Sequence, residues 1–560
     1  MDNQRLFLFV ALSLVLMFLW QAWEGDKRKD ATVSSAPTTA ASSTATAPTP
    51  LSSTPSTNNV AASAAATAST SQQPIPMAAM ALKSAQRVRV VSDLFIAEID
   101  TAGGDLRRLD LTKYPVATDK PNEPFQLFND TLPNLFIAQT GVVGSSSPAP
   151  DSDALFSSDN TEYRLADGTD SIDVRLNWTH PDGVTVVKTY TFHRNSYLVD
   201  VKVDVSNSSG KEWKGRVYRQ LQRTKVGEVG QSSFVNTYMG GVVSSERNKY
   251  DKVKFENMAA WKPQDSFYKG GWAAMLQHYF FGAWIPPQDQ ANHYYTNVLD
   301  QTRYIIGMMT EELTIAPGAS TTQTARLYAG PKDQHHLNDV APNLELVVDY
   351  GMLTIIAQPL FWLLDFFYRM IGNWGWAIVC LTIVIKLMFY KLSQTSYKSM
   401  AHMRRVQPKM QALRERYADD KQRMSQGLME LYKKEKINPL GGCLPMVVQI
   451  PVFIALYWVL LESVELRQAD FIFWIHDLAS KDPFYVLPVL MAASMFIQQK
   501  LNPPVPDPIQ QKVMMALPFV FLFFFAFFPS GLVLYWVVNN VLSIAQQWYI
   551  TRSIERAASA

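Results

Sequence analysis

Residues 513–549 contain no charged side chain and are almost continuously apolar, interrupted at Pro529-Ser530-Gly531. A run of that length needs a hydrocarbon environment, and the helix-breaking residues in its middle make it two spans joined by a tight hairpin. The mean hydropathy of the whole chain, −0.05, resembles that of a soluble protein because the composition is a mosaic. Residues 31–82 are also free of charge, but they consist mainly of Ala, Ser, Thr and Pro. Such a tract buries too little apolar surface to offset chain entropy. The 51 Lys+Arg and 49 Asp+Glu among 560 residues exclude a strongly basic nucleic-acid binder. The two cysteines, Cys380 and Cys443, lie in the C-terminal third, so no disulfide framework holds the long middle region.

Four further apolar stretches, Leu6–Trp23, Trp374–Tyr390, Leu444–Leu461 and Phe484–Gln498, join Val513–Phe528 and Leu532–Tyr549 to make six spans. After the first, Trp20-Gln21-Ala22-Trp23-Glu24 presents interfacial indoles where a cleavage site needs small residues. Residues 1–24 therefore read as an uncleaved anchor. Residues 25–82 read as a flexible linker, and some 50 residues of coil reach about 40 Å.

From 83 to 343 a period of two recurs. Ile172, Val174, Leu176 and Trp178 alternate with polar residues up to a Pro181-Asp182-Gly183 turn; Val199, Val201, Val203 and Val205 repeat the pattern up to Ser206–Gly210. One-sided strands at short intervals predict antiparallel sheets packed as a large sandwich. Catalytic signatures are missing: the chain has no HExxH, no GxSxG and no GxxxxGK[ST]. His335-His336 is an adjacent pair in a polar stretch with no nearby Cys or clustered carboxylate, which reads as a solvated loop, so neither a metal nor a cofactor is expected. Residues 344–373 mix Leu, Phe and Trp with Asp349, Asp365 and Arg369, the pattern of an interfacial amphipathic helix.

Basic residues orient the spans. Residues 391–443 hold twelve Lys/Arg and five Asp/Glu, whereas 462–483 hold two and five. The first loop is thus cytoplasmic and the second external, which puts both termini inside and the sandwich outside. Lys27, Arg28 and Lys29 follow the first span on the outer side against this rule, and the alternation of the later loops outweighs them. Within 391–443, Met400, Met403, Met410 and Leu413, then Met424, Leu428 and Leu431, recur at helical spacing on either side of Ala418-Asp419-Asp420. Two readings of this cytoplasmic hairpin stay open: a solvated coiled-coil-like pair, or a Met-rich surface that adapts to apolar partners. Spans 3–6 fill 444–550, and 551–560 form a short tail.

Lys386 is the one charged residue well inside a span, and no carboxylate lies within any of the six runs. An unpaired ammonium there costs roughly 3 kcal/mol on insertion scales. It either snorkels toward Lys391 or faces water inside the bundle. Thr382 shares its helix face, Gln449 lies in the third span, and Asn540, Ser543 and Gln547 form an i, i+3, i+7 stripe on the last. These either make interhelical hydrogen bonds or line a hydrated pocket open to the cytoplasm.

Gln21-Ala22-Trp23-Glu24, Gln407-Pro408-Lys409, Asn438-Pro439-Leu440-Gly441-Gly442-Cys443, Ser463-Val464-Glu465-Leu466-Arg467 and Phe528-Pro529-Ser530-Gly531-Leu532-Val533-Leu534-Tyr535 together resemble the YidC/Oxa/Alb family of membrane insertases in its Gram-negative form, across essentially the whole chain. The resemblance implies a polytopic α-helical membrane protein with six spans, a five-helix insertase core around a hydrophilic groove, and an external β-supersandwich similar to sugar-mutarotase folds. It further implies residence in the bacterial inner membrane, an insertase and chaperone role for nascent membrane proteins, and no enzymatic activity. Partners implied are the SecYEG translocon and its associated subunits, the ribosome and membrane lipids, with no specific nucleic acid. Lys386, Thr382, Gln449, Asn540 and Ser543 would line the groove, and Phe453, Tyr535 and Trp536 would touch the client span. Lys386 stands where the family usually has Arg, and Trp536 where a second Tyr is often seen. The short tail, with Arg552 and Arg556 as its basic residues, argues against strong tail-mediated ribosome anchoring. Two other classes compete: a small-solute transporter with an external binding domain, which lacks the internal repeat many transporters carry, and an anchored carbohydrate-modifying enzyme, which leaves the membrane region unexplained.

Overall fold

The computed structural model describes residues 82–145, 147–225, 237–417, 420–435, 444–502 and 508–559. The N-terminal anchor, nearly all of the linker, and the Asn438–Cys443 turn lie outside these residues.

The external domain is two packed sheets, one of eleven strands and one of nine. In the nine-stranded sheet, Ser171–Thr179, Val184–His193 and Leu198–Asn207 form a meander in which Val201 faces Tyr190 and Val174 faces Tyr190 from the other side. Val199, Val201, Val203 and Val205 are all buried, so the alternation read in the sequence is the inner face of the sandwich. Gly183 closes the first turn at φ +90°, a conformation that costs a residue without Cβ little. Pairing is antiparallel apart from Arg87–Val91, which runs parallel to Glu162–Arg164. Lys188, sealed between the sheets, donates to the Gly103 carbonyl at 2.5 Å and to that of Thr140. Burial lowers its ammonium to about 8, and Asp105 opposes that shift.

Among the described residues eight longer helices follow: α1 (Thr354–Ile371), α2 (Trp374–Met388), α3 (Tyr390–Arg416), α4 (Lys421–Lys434), α5 (Leu444–Glu462), α6 (Val486–Leu501), α7 (Pro508–Phe525) and α8 (Ser530–Ser559). Gly372, at φ +74° with its N–H on the Tyr368 carbonyl, ends α1; the Asn373 side chain accepts from Trp376 N and starts α2. Among the described residues Gly351–Ile371 is the one helix long and apolar enough by itself to cross a membrane; α2 with Tyr390–Met403 meets that test as a pair bent by 65°. The 15 residues of α2 and 16 of α6 reach about 22 and 24 Å, short of a ~30 Å hydrocarbon core.

Helix boundaries depart from the apolar runs. α7 starts at Pro508 rather than Val513 and stops at Phe525, and α6 begins at Val486 and ends at Leu501. The polar residues Gln510, Gln511 and Lys512 continue a helix as readily as they end an apolar stretch. For the same reason α8 continues through Arg552 and Arg556 to Ser559, so the expected 551–560 tail is helical over its described residues. Pro529-Ser530-Gly531 makes the hairpin, and Ser530 and Gly531 dock through their N–H groups on the carbonyls of Ser480 and Leu478.

The outer face of the nine-stranded sheet and the helices share one apolar core. Trp272, Phe281 and Ile285 on the outer face of the nine-stranded sheet, Leu344 and Val347 beyond it, Leu364 of α1 and Leu381 of α2 belong to the same buried cluster. Polar contacts seal the junction. Lys332 Nζ lies 3.5 Å from Glu462 Oε2 with both side chains buried, and His278 Nε2 bonds the Leu461 carbonyl at 2.9 Å. Arg467 donates to the carbonyls of Pro115 (2.7 Å) and Val116 (3.1 Å), and its guanidinium covers the rings of Phe125 and Phe280.

Candidate functional site

Lys386 sits one turn before the bend that ends α2, half-buried against α8. Its ammonium donates to Ser543 Oγ at 2.7 Å, and that hydroxyl donates onward to the Asn539 carbonyl at 2.7 Å. No carboxylate pairs with Lys386 among the described residues. Since an ammonium carries three donors, one bond to Ser543 leaves two of them for other partners.

Asn539 also accepts from Gln449 Nε2 of α5 at 2.8 Å. A polar chain therefore runs Lys386–Ser543–Asn539–Gln449 across three helices. Asn540, one residue on, points elsewhere: its Nδ2 bonds Ser494 Oγ of α6 at 3.0 Å, and Ser494 bonds the Met491 carbonyl of its own helix. Gln547 completes the stripe by donating to the Leu501 carbonyl and to Asn502 Oδ1 at the end of α6. Thr382 shares the helix face of Lys386, but its hydroxyl is spent on the Ile378 carbonyl of the same helix at 2.7 Å, and the side chain is buried. Thus Lys386, Ser543 and Gln449 come together, Asn540 tethers α8 to α6, and Thr382 is satisfied within α2. Asn539 and Ser494 join these contacts without belonging to the polar stripe of the sequence. Asn539 adjoins a singled-out Asn in the same span, which was a usable signal; a lone Ser in an Ala- and Met-rich helix was not.

Toward the start of α8, Phe453 of α5 lies against Tyr535 (ring centroids 6.0 Å, 21° between planes) and edge-on to Trp536 (4.9 Å, 67°). Trp536 also meets Phe525 of α7 at 5.7 Å. Tyr535 is fully buried, whereas Phe453 and Trp536 are half-exposed, so the latter two present the accessible edge of this cluster.

In the hairpin of α3 and α4, Val406 and Met410 are buried and Met403, Leu428, Leu431 and Tyr432 pack on them. Met410 and Met403 therefore serve the seam of the hairpin rather than an adaptable surface; Met400 and Met424 are half-buried, and Met429, 59% exposed, lies on the open side. Gly427 lets the two helices approach, since a Cβ there would lie 2.8 Å from Leu413 Cδ2. Asp420 caps α4 by accepting from the N–H groups of Gln422 and Arg423.

A family model described as the YidC periplasmic domain matches residues 87–363, and one described as 60Kd inner membrane protein matches residues 366–557. The membrane protein insertase YidC of Thioalkalivibrio sulfidiphilus is 50% identical over 567 residues, covering 100% of this chain and 99% of that protein. Its counterpart in Nitrosococcus oceani is 49% identical over 557 residues, covering 99% and 100%. A crystal structure described as active YidC insertase with the first transmembrane domain resolved is 18% identical, with a TM-score of 0.38, covering 84% of this chain and 93% of that one.

Proposed function

The chain belongs to the YidC family of membrane protein insertases, and from that membership we propose that it inserts nascent membrane proteins into the inner membrane by way of the polar seam around Lys386. It is a non-enzymatic, multi-pass membrane insertase with a periplasmic domain. The observation that carries the groove assignment is the ammonium held by Ser543 with no carboxylate partner among the described residues: a positive charge in a membrane helix attracts the polar or acidic external tail of a client. Asn539, Gln449 and Ser543 offer the tail hydrogen-bond partners while it is out of water. The short α2 and α6 favour a locally thinned bilayer, which lowers the cost of carrying that tail across. The client's apolar span then passes along the edge formed by Phe453 and Trp536 into lipid, and contact with Tyr535 requires those rings to part.

Both termini face the cytoplasm in this scheme, as does the basic hairpin of α3 and α4, which is the surface offered to an arriving ribosome. Cooperation with the Sec translocon and its subunits belongs to the same proposal, as does the chaperone role.

The deciding experiment uses proteoliposomes containing this protein alone and a single-span client with an acidic external tail. Wild type and Lys386→Arg insert it, and Lys386→Ala does not. Equal insertion by Lys386→Ala removes the charge-attraction mechanism, and failure of wild type removes autonomous insertion.

A further inference from the structure

Asp333 and His335 leave the external domain just beyond its last strand, Ser320–Pro331, and Glu465 lies on the turn Val464–Leu466 after α5. Distant in sequence, they converge: one ligand atom from each lies within 4.8 Å of the others. Both carboxylate oxygens of Glu465 are sealed from solvent, and no side chain bonds them; the donors beside them are the backbone N–H groups of Glu465 and Gln334.

The surroundings are short of positive charge. Asp365 of α1 lies 3.3 Å from His335 Nε2, and Arg369 bonds both Asp365 Oδ2 (2.8 Å) and His335 Nδ1 (3.2 Å). His336, largely exposed, meets Asp333 Oδ2 from the solvent side. Three carboxyl groups thus gather beside one guanidinium, an acidic excess that a divalent cation would offset.

We propose that Asp333, His335 and Glu465 bind a single divalent transition-metal ion, with zinc favoured by a donor set of one imidazole nitrogen and two carboxylates. Asp365, holding His335 through Nε2–H, is the outer carboxylate that fixes the ring with Nδ1 toward the metal. Arg369, with a side chain 65% exposed, gives up its contact with Nδ1 and keeps the one with Asp365. The histidine pair alone carries no site; the carboxylate from beyond α5 supplies what the local sequence lacks. The ion would tie the exit of the external domain to the membrane helices, apart from the groove.

Full-length, tag-free protein in detergent, equilibrated with zinc chloride and passed through a desalting column, is assayed for bound zinc by mass spectrometry and for affinity by competition with a chelating dye. Wild type is expected to retain about one zinc per chain, with magnesium not competing. Glu465→Gln and His335→Ala each weaken binding at least ~100-fold, and Asp365→Asn weakens it ~10–100-fold through ring orientation. His335 is exposed, so its variant decides the matter should Glu465→Gln fail to fold. Wild type retaining no zinc, or His335→Ala retaining as much as wild type, overturns the proposal.

Discussion

Lys332 and Glu462 meet across the junction of the external domain and the membrane helices, 3.5 Å apart, with side chains 1% and 3% exposed. Removing one charge strands the other where water does not reach, a loss of roughly 3–5 kcal/mol. Replacing both with apolar residues of similar size leaves no charge to strand, and its cost is far smaller. The perturbations are therefore Lys332→Met alone and Lys332→Met with Glu462→Leu. Hydrogen exchange reads them at two amides flanking the pair: Lys332 N, bonded to the Tyr279 carbonyl at 2.8 Å, and Ser463 N, bonded to that of Val459 at 3.2 Å. At tenfold per ~1.4 kcal/mol, protection in the single variant falls by about two to four orders of magnitude. The double variant recovers to within about one order of wild type. A single variant within about threefold of wild type, or a double variant as unprotected as the single, would refute the claim that this pair governs the junction.

Two further expectations concern the same region. Burial lowers His278 to about 3, and Lys332 and Arg467 add to that effect. Its contribution is complete above the unfolded value of ~6.5 and is lost as pH falls below it, amounting to about 2 kcal/mol at pH 5. Thermal unfolding should drop between pH 7 and 5, and His278→Gln should flatten that dependence; an equally steep profile in the variant excludes His278 as its source. At Gly375 a Cβ would fall 2.0 Å from the Phe471 ring. Gly375→Val should therefore lift residues 463–485 off α2 and raise their proteolysis at least ~10-fold, since overpacking costs ~1–3 kcal/mol or more; unchanged cleavage contradicts the packing.

What the sequence made legible follows from which periodicities burial leaves intact. Val199 to Val205 alternate with Asp200, Lys202 and Asp204 because one face of that strand looks inward and the other toward water. Trp272–Leu276 and Phe280–Ile285 carry no such alternation, being buried on both faces: the outer face is covered by the segment holding Leu344 and Val347. Their strand character was hidden for that reason. In the membrane region hydropathy located the described helices but misplaced their ends, because Gln511, Lys512 and Arg552 are compatible with helix in water. Lys386 stood out as a lone charge, and its partner Ser543 lay on the stripe read from the last span. That Asn540 turns to Ser494 instead depends on how α8 is rotated against α6, which neighbouring helices decide.

The bonds from Arg467 to the carbonyls of Pro115 and Val116 close a loop of about 350 residues, 352 in the longer case. At a synthesis rate of ~5–20 residues per second, Pro115 leaves the ribosome about 20–70 s before Arg467 does. For that interval the strand ending at Pro115 has no partner for its last carbonyls from the membrane part of the chain. The whole sandwich is synthesised before the segment that fastens it exists, so docking is a late event in the protein's own biogenesis.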